Sequence, residues 1–139
     1  MPRIRIFLDA NILVTVLCNE YPRFGPCARV LSLVDDPRFE VYTSPLCMAI
    51  GAYYASKKNG KKLARKKITL LGEKLHMTNM GQNAMQRTLA DPRILDIEDG
   101  LQYHSALDAK CGFIVTYDRK DFHFADIPVM DAEDFLLKH

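Results

Sequence analysis

Short apolar runs alternate with helix-like segments along this chain, and this alternation strongly restricts the fold. Strands are predicted at residues 3–8, 39–43, 113–116 and 127–130, with helices between them. Alternating strands and helices call for a parallel sheet joined by right-handed crossovers. We therefore predict one α/β domain over residues 1–139, an α/β/α sandwich around a mostly parallel central sheet of four to five strands.

Capping and stop signals help to place the predicted helices. Ser44-Pro45 begins one, because serine caps free N–H groups and proline is tolerated at the first helical position. Asp35-Asp36-Pro37 ends another, since the residue before a proline avoids helical conformation. The first predicted helix follows Asn11 directly. The others span residues 27–34, 45–57, 61–75, 81–90, 96–110 and 132–137.

Composition indicates an ordinary globular protein without a membrane segment. Hydrophobic residues make up 48% of the 139 residues and charged residues 26%. The apolar runs are too short to span a bilayer, and Asp9 and Asn11 interrupt the one candidate signal segment. The four cysteines lack C-x-x-C spacing, which argues against a zinc site and for reduced thiols. We expect a cytoplasmic protein with no membrane partner.

The net charge of +2 conceals a basic cluster. Residues 57–67 carry seven cations and no acid, whereas the rest of the chain has 12 cations against 17 acids. Lysine and arginine side chains in such a run can follow a phosphate backbone, but they can equally form a solvated face. The candidate RNA-binding residues are Lys57, Lys58, Lys61, Lys62 and Arg65.

Three carboxylates are predicted at the carboxyl edge of the sheet. Asp9 ends the first strand, Asp118 follows the strand at residues 113–116, and Asp99 lies in the first turn of the helix before that strand. Ligands of open α/β sheets bind at this edge. Clustered carboxylates repel each other unless a cation neutralises them, and oxygen ligands suit Mg²⁺ or Mn²⁺. Such ions promote hydrolysis of phosphodiesters.

Each acid also has a structural interpretation. Asp9 and Asp96 are of a type that caps helices, and Asp118 is typical of turns. Taken singly, each acid fits a structural and a functional role about equally well. The common location favours function, and the sequence has no glycine-rich phosphate-binding loop that would indicate a nucleotide binder.

These residues resemble the PIN-domain ribonucleases, in particular the branch common among bacterial type II toxin–antitoxin toxins. The resemblance covers nearly the whole chain. It rests on Phe7-Leu8-Asp9-Ala10-Asn11, on the segments at residues 96–103 and 106–112, on Thr116-Tyr117-Asp118-Arg119-Lys120-Asp121-Phe122, and on the ending at residues 129–137. It implies a PIN-like domain with Mg²⁺- or Mn²⁺-dependent endoribonuclease activity. It also implies RNA, single-stranded or in structured loops, as substrate, an antitoxin protein as partner, and dimerisation.

The resemblance also implies roles for individual residues. Asp9, Asp99 and Asp118 match metal ligands and are the candidate catalytic residues. Asn11 matches a residue that orients the first carboxylate, and Thr116 one that forms hydrogen bonds within the site. Some relatives keep the later acid and have asparagine at the earlier position, so Asp118, Asp121 or both could serve. Asp96 is a candidate for the outer part of the site.

One position departs from the family pattern. Relatives carry glutamate in the helix after the second strand, within a Ser-Pro-Leu-x-x-Ala-Glu pattern, where this chain has Ile50. Loss of a carboxylate lowers the expected metal affinity. It therefore keeps an alternative open: a degenerate PIN domain that binds RNA or a protein without cleavage. Tyr53 and Tyr54 are expected to pack in or beside the core, and His104 to be a surface or packing residue.

Overall fold

The computed structural model describes residues 2–139, which contain a five-stranded, entirely parallel sheet of order β3-β2-β1-β4-β5. The strands are β1 (Ile4–Leu8), β2 (Phe39–Thr43), β3 (His76–Met77), β4 (Phe113–Val115) and β5 (Val129–Met130). This arrangement confirms the predicted α/β fold, and the sheet has the larger of the two predicted strand numbers.

Seven α-helices accompany the sheet within the same residues. They are α1 (Ala10–Leu17), α2 (Phe24–Leu31), α3 (Pro45–Asn59), α4 (Lys61–Lys74), α5 (Gln82–Ala90), α6 (Ile97–Asp108) and α7 (Ala132–Lys138). The predicted bounds of the helix at 27–34 were wrong at both ends. Helix α2 begins at Phe24 and ends at Leu31, and a 3-10 turn follows over Ser32–Asp35. Each helix in residues 2–139 falls short of the length and apolar character that a membrane crossing requires.

Sequence analysis missed β3. This strand has two residues, both exposed, and it pairs with β2 through Tyr42–His76 and Thr43–Met77. So short a segment has neither an apolar run nor alternation, and it is recognisable only by its pairing. The predicted strand at 127–130 is likewise shorter than expected, since only Val129–Met130 pairs with β4.

Strand order places a crevice beside the end of β1. The chain leaves β1 for β2 on one side, and it later returns to form β4 on the other side. Right-handed crossovers then place α1 to α4 on one face of the sheet, and α5 and α6 on the opposite face. The carboxyl ends of β1 and β4 therefore flank a topological switch point, where ligands of open α/β sheets bind.

The core fixes the central strands tightly. Phe7 and Leu8 are completely buried, as is Val115, which pairs with Leu8 across the β1–β4 ladder. On α6, Gly100 allows a close approach to α5, because a Cβ there would lie 2.7 Å from Ile94 Cγ2 and would also collide with Thr88. Asp99 precedes Gly100 in α6, so this close packing fixes the backbone position from which the Asp99 side chain extends.

Candidate functional site

A cavity of about 340 Å³ opens at the switch point and is lined mainly by acids. Its lining residues are Asp9, Ala10, Asn11, Val14, Ile50, Tyr54, Asp96, Glu98, Asp99, Asp118 and Asp121. The structure thus brings to one cavity all the acids that sequence analysis had selected. Their roles as ligands or catalysts remain predictions.

Asp9 lies at the buried end of this cavity, with only 8% of its surface exposed. One carboxylate oxygen accepts the Ala10 N–H at 2.8 Å, and the other accepts the Thr116 hydroxyl at 2.8 Å. The cap interpretation of Asp9 is therefore correct geometrically, and it does not exclude a role in the cavity. Burial raises the pKa of Asp9 above its ordinary value, an effect that the Thr116 hydrogen bond partly offsets.

Thr116 and Asn11 form a hydrogen-bonded bridge from β4 to α1. The Thr116 hydroxyl accepts the Asn11 side-chain amide at 2.9 Å and the Asp118 N–H at 3.0 Å, so its own proton is directed at Asp9. Asn11 Oδ1 accepts the Tyr117 N–H at 3.2 Å, which turns the amide nitrogen toward the acids. That nitrogen also donates to Asp118 Oδ2 at 3.1 Å. Asn11 and Thr116 consequently hold Asp9 and Asp118 in fixed relation.

The Asp99 carboxyl in this cavity is strongly perturbed. Burial first, and then the neighbouring carboxylates, raise its pKa to about 7. The acids that contribute are Asp96, Asp121, Asp9 and Glu98. Near neutral pH, therefore, the cavity holds crowded negative charge that a cation would relieve.

Glu98 is a cavity residue that sequence analysis did not select. It lies next to Asp99 in the first turn of α6, and its N–H donates to Asp96 Oδ1 at 3.0 Å. The segment Asp96-Ile97-Glu98-Asp99 was interpreted as a helix start in which Asp99 and Asp96, but not Glu98, were candidate site residues. Its position beside Asp99 could have indicated Glu98. Successive helix residues point about 100° apart, so two neighbouring side chains can both reach one wide cavity.

Helix α3 contributes a single face to the cavity. Cys47, Ile50 and Tyr54 recur at helical spacing, and the Cys47 thiol lies 3.8 Å from Asp9 Oδ1. Burial raises the pKa of Cys47 to about 12, so it remains a thiol that can donate to the carboxylate. Ile50 is half-buried in the cavity wall. An apolar group therefore stands at the position where the family resemblance implies a glutamate.

The expectation for the two tyrosines of α3 was wrong. Tyr53 and Tyr54 do not fill the core: they are 55% and 49% exposed at the mouth of the cavity. Both hydroxyls reach water this way, whereas burial on this side of α3 would require polar partners. His104 was expected to be a surface or packing residue, and it packs in the interior, with its ring 5.1 Å from that of Tyr103.

The basic cluster is divided among several contacts. The Lys58 ammonium donates to the Cys18 carbonyl, and the Lys57 ammonium lies 4.7 Å from the centre of the Tyr53 ring. Lys62 and Arg65 line a separate shallow groove on α4. Lys61 is exposed at the start of the same helix. Lys58 therefore has less freedom to contact a ligand than the other four candidates.

As the side chains stand, no three His, Cys, Asp or Glu residues within 2–139 form a group that encloses an ion. The acids instead line an open cavity whose oxygen atoms are of the type that Mg²⁺ and Mn²⁺ prefer.

The chain belongs to the PIN-domain family, whose family model matches residues 5–120. A comparison with curated protein sequences gave no match. The family membership predicted from the sequence is therefore confirmed by a match over most of the chain.

Similar solved structures support the same fold. They include VapBC2 from Rickettsia felis bound to a promoter DNA fragment, at 16% identity and TM-score 0.66, covering 92% of this chain and 98% of that one. VapC20 from Mycobacterium tuberculosis, a sarcin–ricin-loop-cleaving toxin, matches at 15% identity and TM-score 0.68, covering 88% of this chain and 95% of that one. VapBC-1 from nontypeable Haemophilus influenzae matches at 18% identity and TM-score 0.65, covering 94% of this chain and 99% of that one.

Replacement of Asp99 by asparagine tests the charge crowding in the cavity. The pKa of Asp99 in the folded protein, about 7, exceeds its ordinary 3.8, so stability falls as pH rises between these values and stays low above them. Asp99→Asn removes this loss, and we expect its melting temperature in EDTA to exceed wild type by a few degrees at pH 8 and by less at pH 5. Asp126→Asn, which removes an exposed acid outside the cavity, is the control. Equal increases in melting temperature at pH 5 and pH 8 would contradict the proposed repulsion among the carboxylates.

Proposed function

We propose that this protein is a Mg²⁺- or Mn²⁺-dependent endoribonuclease. The observation that carries the proposal is the cavity at the switch point, where β1, β4 and α6 each contribute a carboxylate around the buried Asp9. Asp9 caps α1, but capping does not require the other acids to gather beside it, where burial and then the neighbouring carboxylates raise the pKa of Asp99. A divalent cation would convert that repulsion into binding.

The donor set fits such an ion chemically. Asp9, Asp99 and Asp118 would hold it, while Asp96 and Asp121 would form the outer part of the site or replace a ligand. An ion held by these residues would supply water activation and charge stabilisation for phosphodiester hydrolysis. Asn11 and Thr116 support this arrangement, since their hydrogen bonds to Asp9 and Asp118 orient both carboxylates before binding.

Glu98 would supply the carboxylate that Ile50 does not. Both residues line the acidic cavity, and both also line the adjoining cavity along α3. A carboxylate from α6 therefore reaches the same part of the site from the opposite wall. The negative charge of the site is retained although its position in the sequence has changed.

The basic cluster would contact RNA phosphates outside the acidic cavity. Lys57, Lys61, Lys62 and Arg65 keep exposed cationic groups on the α3–α4 pair, and Lys58 would add a weaker contribution. Such contacts supply sequence-independent affinity through counterion release. The proposed binding should therefore weaken as salt concentration rises.

We further propose that the protein is the toxin of a toxin–antitoxin pair, with an antitoxin protein as its partner. Two of the similar structures are VapBC complexes, and this chain covers at least 98% of the corresponding chain in each. Homodimerisation belongs to the same proposal.

Ile50 supports a second candidate, a PIN domain that binds RNA without cutting it. An isoleucine in the cavity wall cannot hold a cation, and it excludes water from one side of the site. If Glu98 does not compensate, metal affinity would be too low for hydrolysis, whereas RNA contacts through the basic cluster would persist.

RNA cleavage separates these candidates. We expect wild-type protein with Mn²⁺ to fragment single-stranded RNA, and Asp9→Asn to do so about a hundredfold more slowly, because loss of a ligand removes several kcal/mol of transition-state stabilisation. Gel analysis of end-labelled RNA measures both rates, with EDTA as a blank. Intact RNA that is nevertheless bound by wild type would establish the second candidate.

Glu98→Gln tests the compensating carboxylate. We expect Mn²⁺ affinity to fall by about tenfold, measured by calorimetry or from the electron paramagnetic resonance signal of free Mn²⁺. Glu73→Gln changes an exposed acid on α4 outside the cavity and should leave the affinity unaltered. Equal affinities for all three proteins would show that Glu98 does not act on the ion.

Ile50→Glu restores the family's carboxylate. We expect it to raise Mn²⁺ affinity in wild type and, more sharply, to recover the affinity lost in Glu98→Gln, because each change alters the same charge balance. Leu89→Glu, on the exposed side of α5, adds the same charge elsewhere and serves as the control. A double variant that binds no better than Glu98→Gln alone would contradict the exchange of roles.

A further inference from the structure

A second cavity, of about 430 Å³, continues the acidic cavity along α3. It is lined by Ala49, Ile50, Tyr53, Tyr54 and Glu98, and it shares Ile50, Tyr54 and Glu98 with the acidic cavity. Both volumes fall within the range of small-ligand pockets. A ligand bound at the acids would therefore extend directly onto the two tyrosine rings.

The two tyrosines form an exposed aromatic surface. Their ring centres lie 5.2 Å apart at an interplanar angle of 82°, so the edge of one ring meets the face of the other. About half of each residue is accessible, although burial of aromatic rings is strongly favourable. Within residues 2–139, Tyr54 is the aromatic residue that lines the acidic cavity. We call this pair, with Ile50, the aromatic ledge.

Charge determines which part of an RNA strand the ledge can hold. The acidic cavity repels phosphates except where a cation bridges them, whereas the uncharged faces of the bases are not repelled. Base stacking on aromatic side chains binds single strands without sequence preference. The Lys57 ammonium lies over the Tyr53 ring, 4.7 Å from its centre, and so supplies a cation beside the ledge.

We propose that the aromatic ledge is a stacking subsite for an unpaired base of the RNA strand, next to the phosphodiester held at the acids. The inference rests on the proposed ribonuclease function and adds a base-binding subsite to it. Bases within an RNA duplex are stacked on one another and present no free face, so the ledge selects single-stranded RNA. Lys57 contacts the phosphate on the far side of that base.

The test uses a single-stranded RNA oligonucleotide with one central 2-aminopurine, whose fluorescence is quenched when it stacks on an aromatic ring. Binding is followed by anisotropy of an end label in Ca²⁺, with a gel to check that the strand stays intact. We expect wild-type protein to bind and quench, and Tyr54→Ala to lose quenching and bind about fivefold to a hundredfold more weakly. Tyr54→Phe keeps the ring and should recover both signals, and the same pair of changes applies to Tyr53.

Tyr21→Ala is the matched control. Tyr21 is 75% exposed and contacts the Phe24 ring at 5.2 Å, so it resembles the ledge tyrosines but lines neither cavity. Its loss should change neither quenching nor affinity. A fully paired version of the oligonucleotide should bind wild type and Tyr54→Ala with equal affinity, because duplex bases cannot reach the ledge.

The outcomes distinguish the ledge from the function on which it rests. If wild type binds and cleaves RNA while both alanine variants bind and quench as wild type does, the ledge is not a stacking subsite and the ribonuclease proposal stands. If wild type binds no RNA, both proposals fail together. If the alanine variants change only the sedimentation of the protein, the ledge is a surface for self-association, and the inference is overturned.

Discussion

Burial of the Asp9 carboxylate is the constraint on which the site depends. A charged group that is 8% exposed, at the end of a strand whose last three residues are completely buried, is costly unless donors surround it. The Thr116 hydroxyl and the Ala10 N–H are those donors, and the pairing of Leu8 with Val115 sets their places. The β1–β4 ladder therefore fixes the central strands and the buried end of the cavity together.

Strand order extends this constraint to the other acids. Because β4 lies beside β1, Asp118 arrives within hydrogen-bond distance of Asn11, although the two are 107 positions apart in the chain. Helix α6 then brings Asp99 to the same crevice, where the contact of Gly100 with α5 limits its movement. The acids converge because the fold requires these elements to meet, and their repulsion is tolerated at the open side of the cavity.

The sequence allowed prediction of those features that local chemistry determines. The alternation of strands and helices, the capping of α3 by Ser44, and the gathering of Asp9, Asp99 and Asp118 follow from patterns along the chain. Strand β3 could not be predicted, because two exposed residues become a strand only through pairing with β2. The outward positions of Tyr53 and Tyr54 depend on how α3 packs against the sheet, and aromatic residues alone favour burial.

Ile50 and Glu98 show why a motif position and a site position are different things. The absence of glutamate from the α3 motif suggests a lost function, because a sequence motif describes the residues of one helix only. A cavity, by contrast, is lined by residues from several helices: Glu98 on α6 and Ile50 on α3 line the same two volumes. Electrostatics acts through distance and dielectric, not chain position: burial is the main cause that raises the pKa of Asp9 and of Asp99, and the Glu98 carboxylate adds to the rise in both. The charge of Glu98 in these volumes is the physical basis of the proposed exchange of roles, and Ile50 gives both volumes an apolar wall.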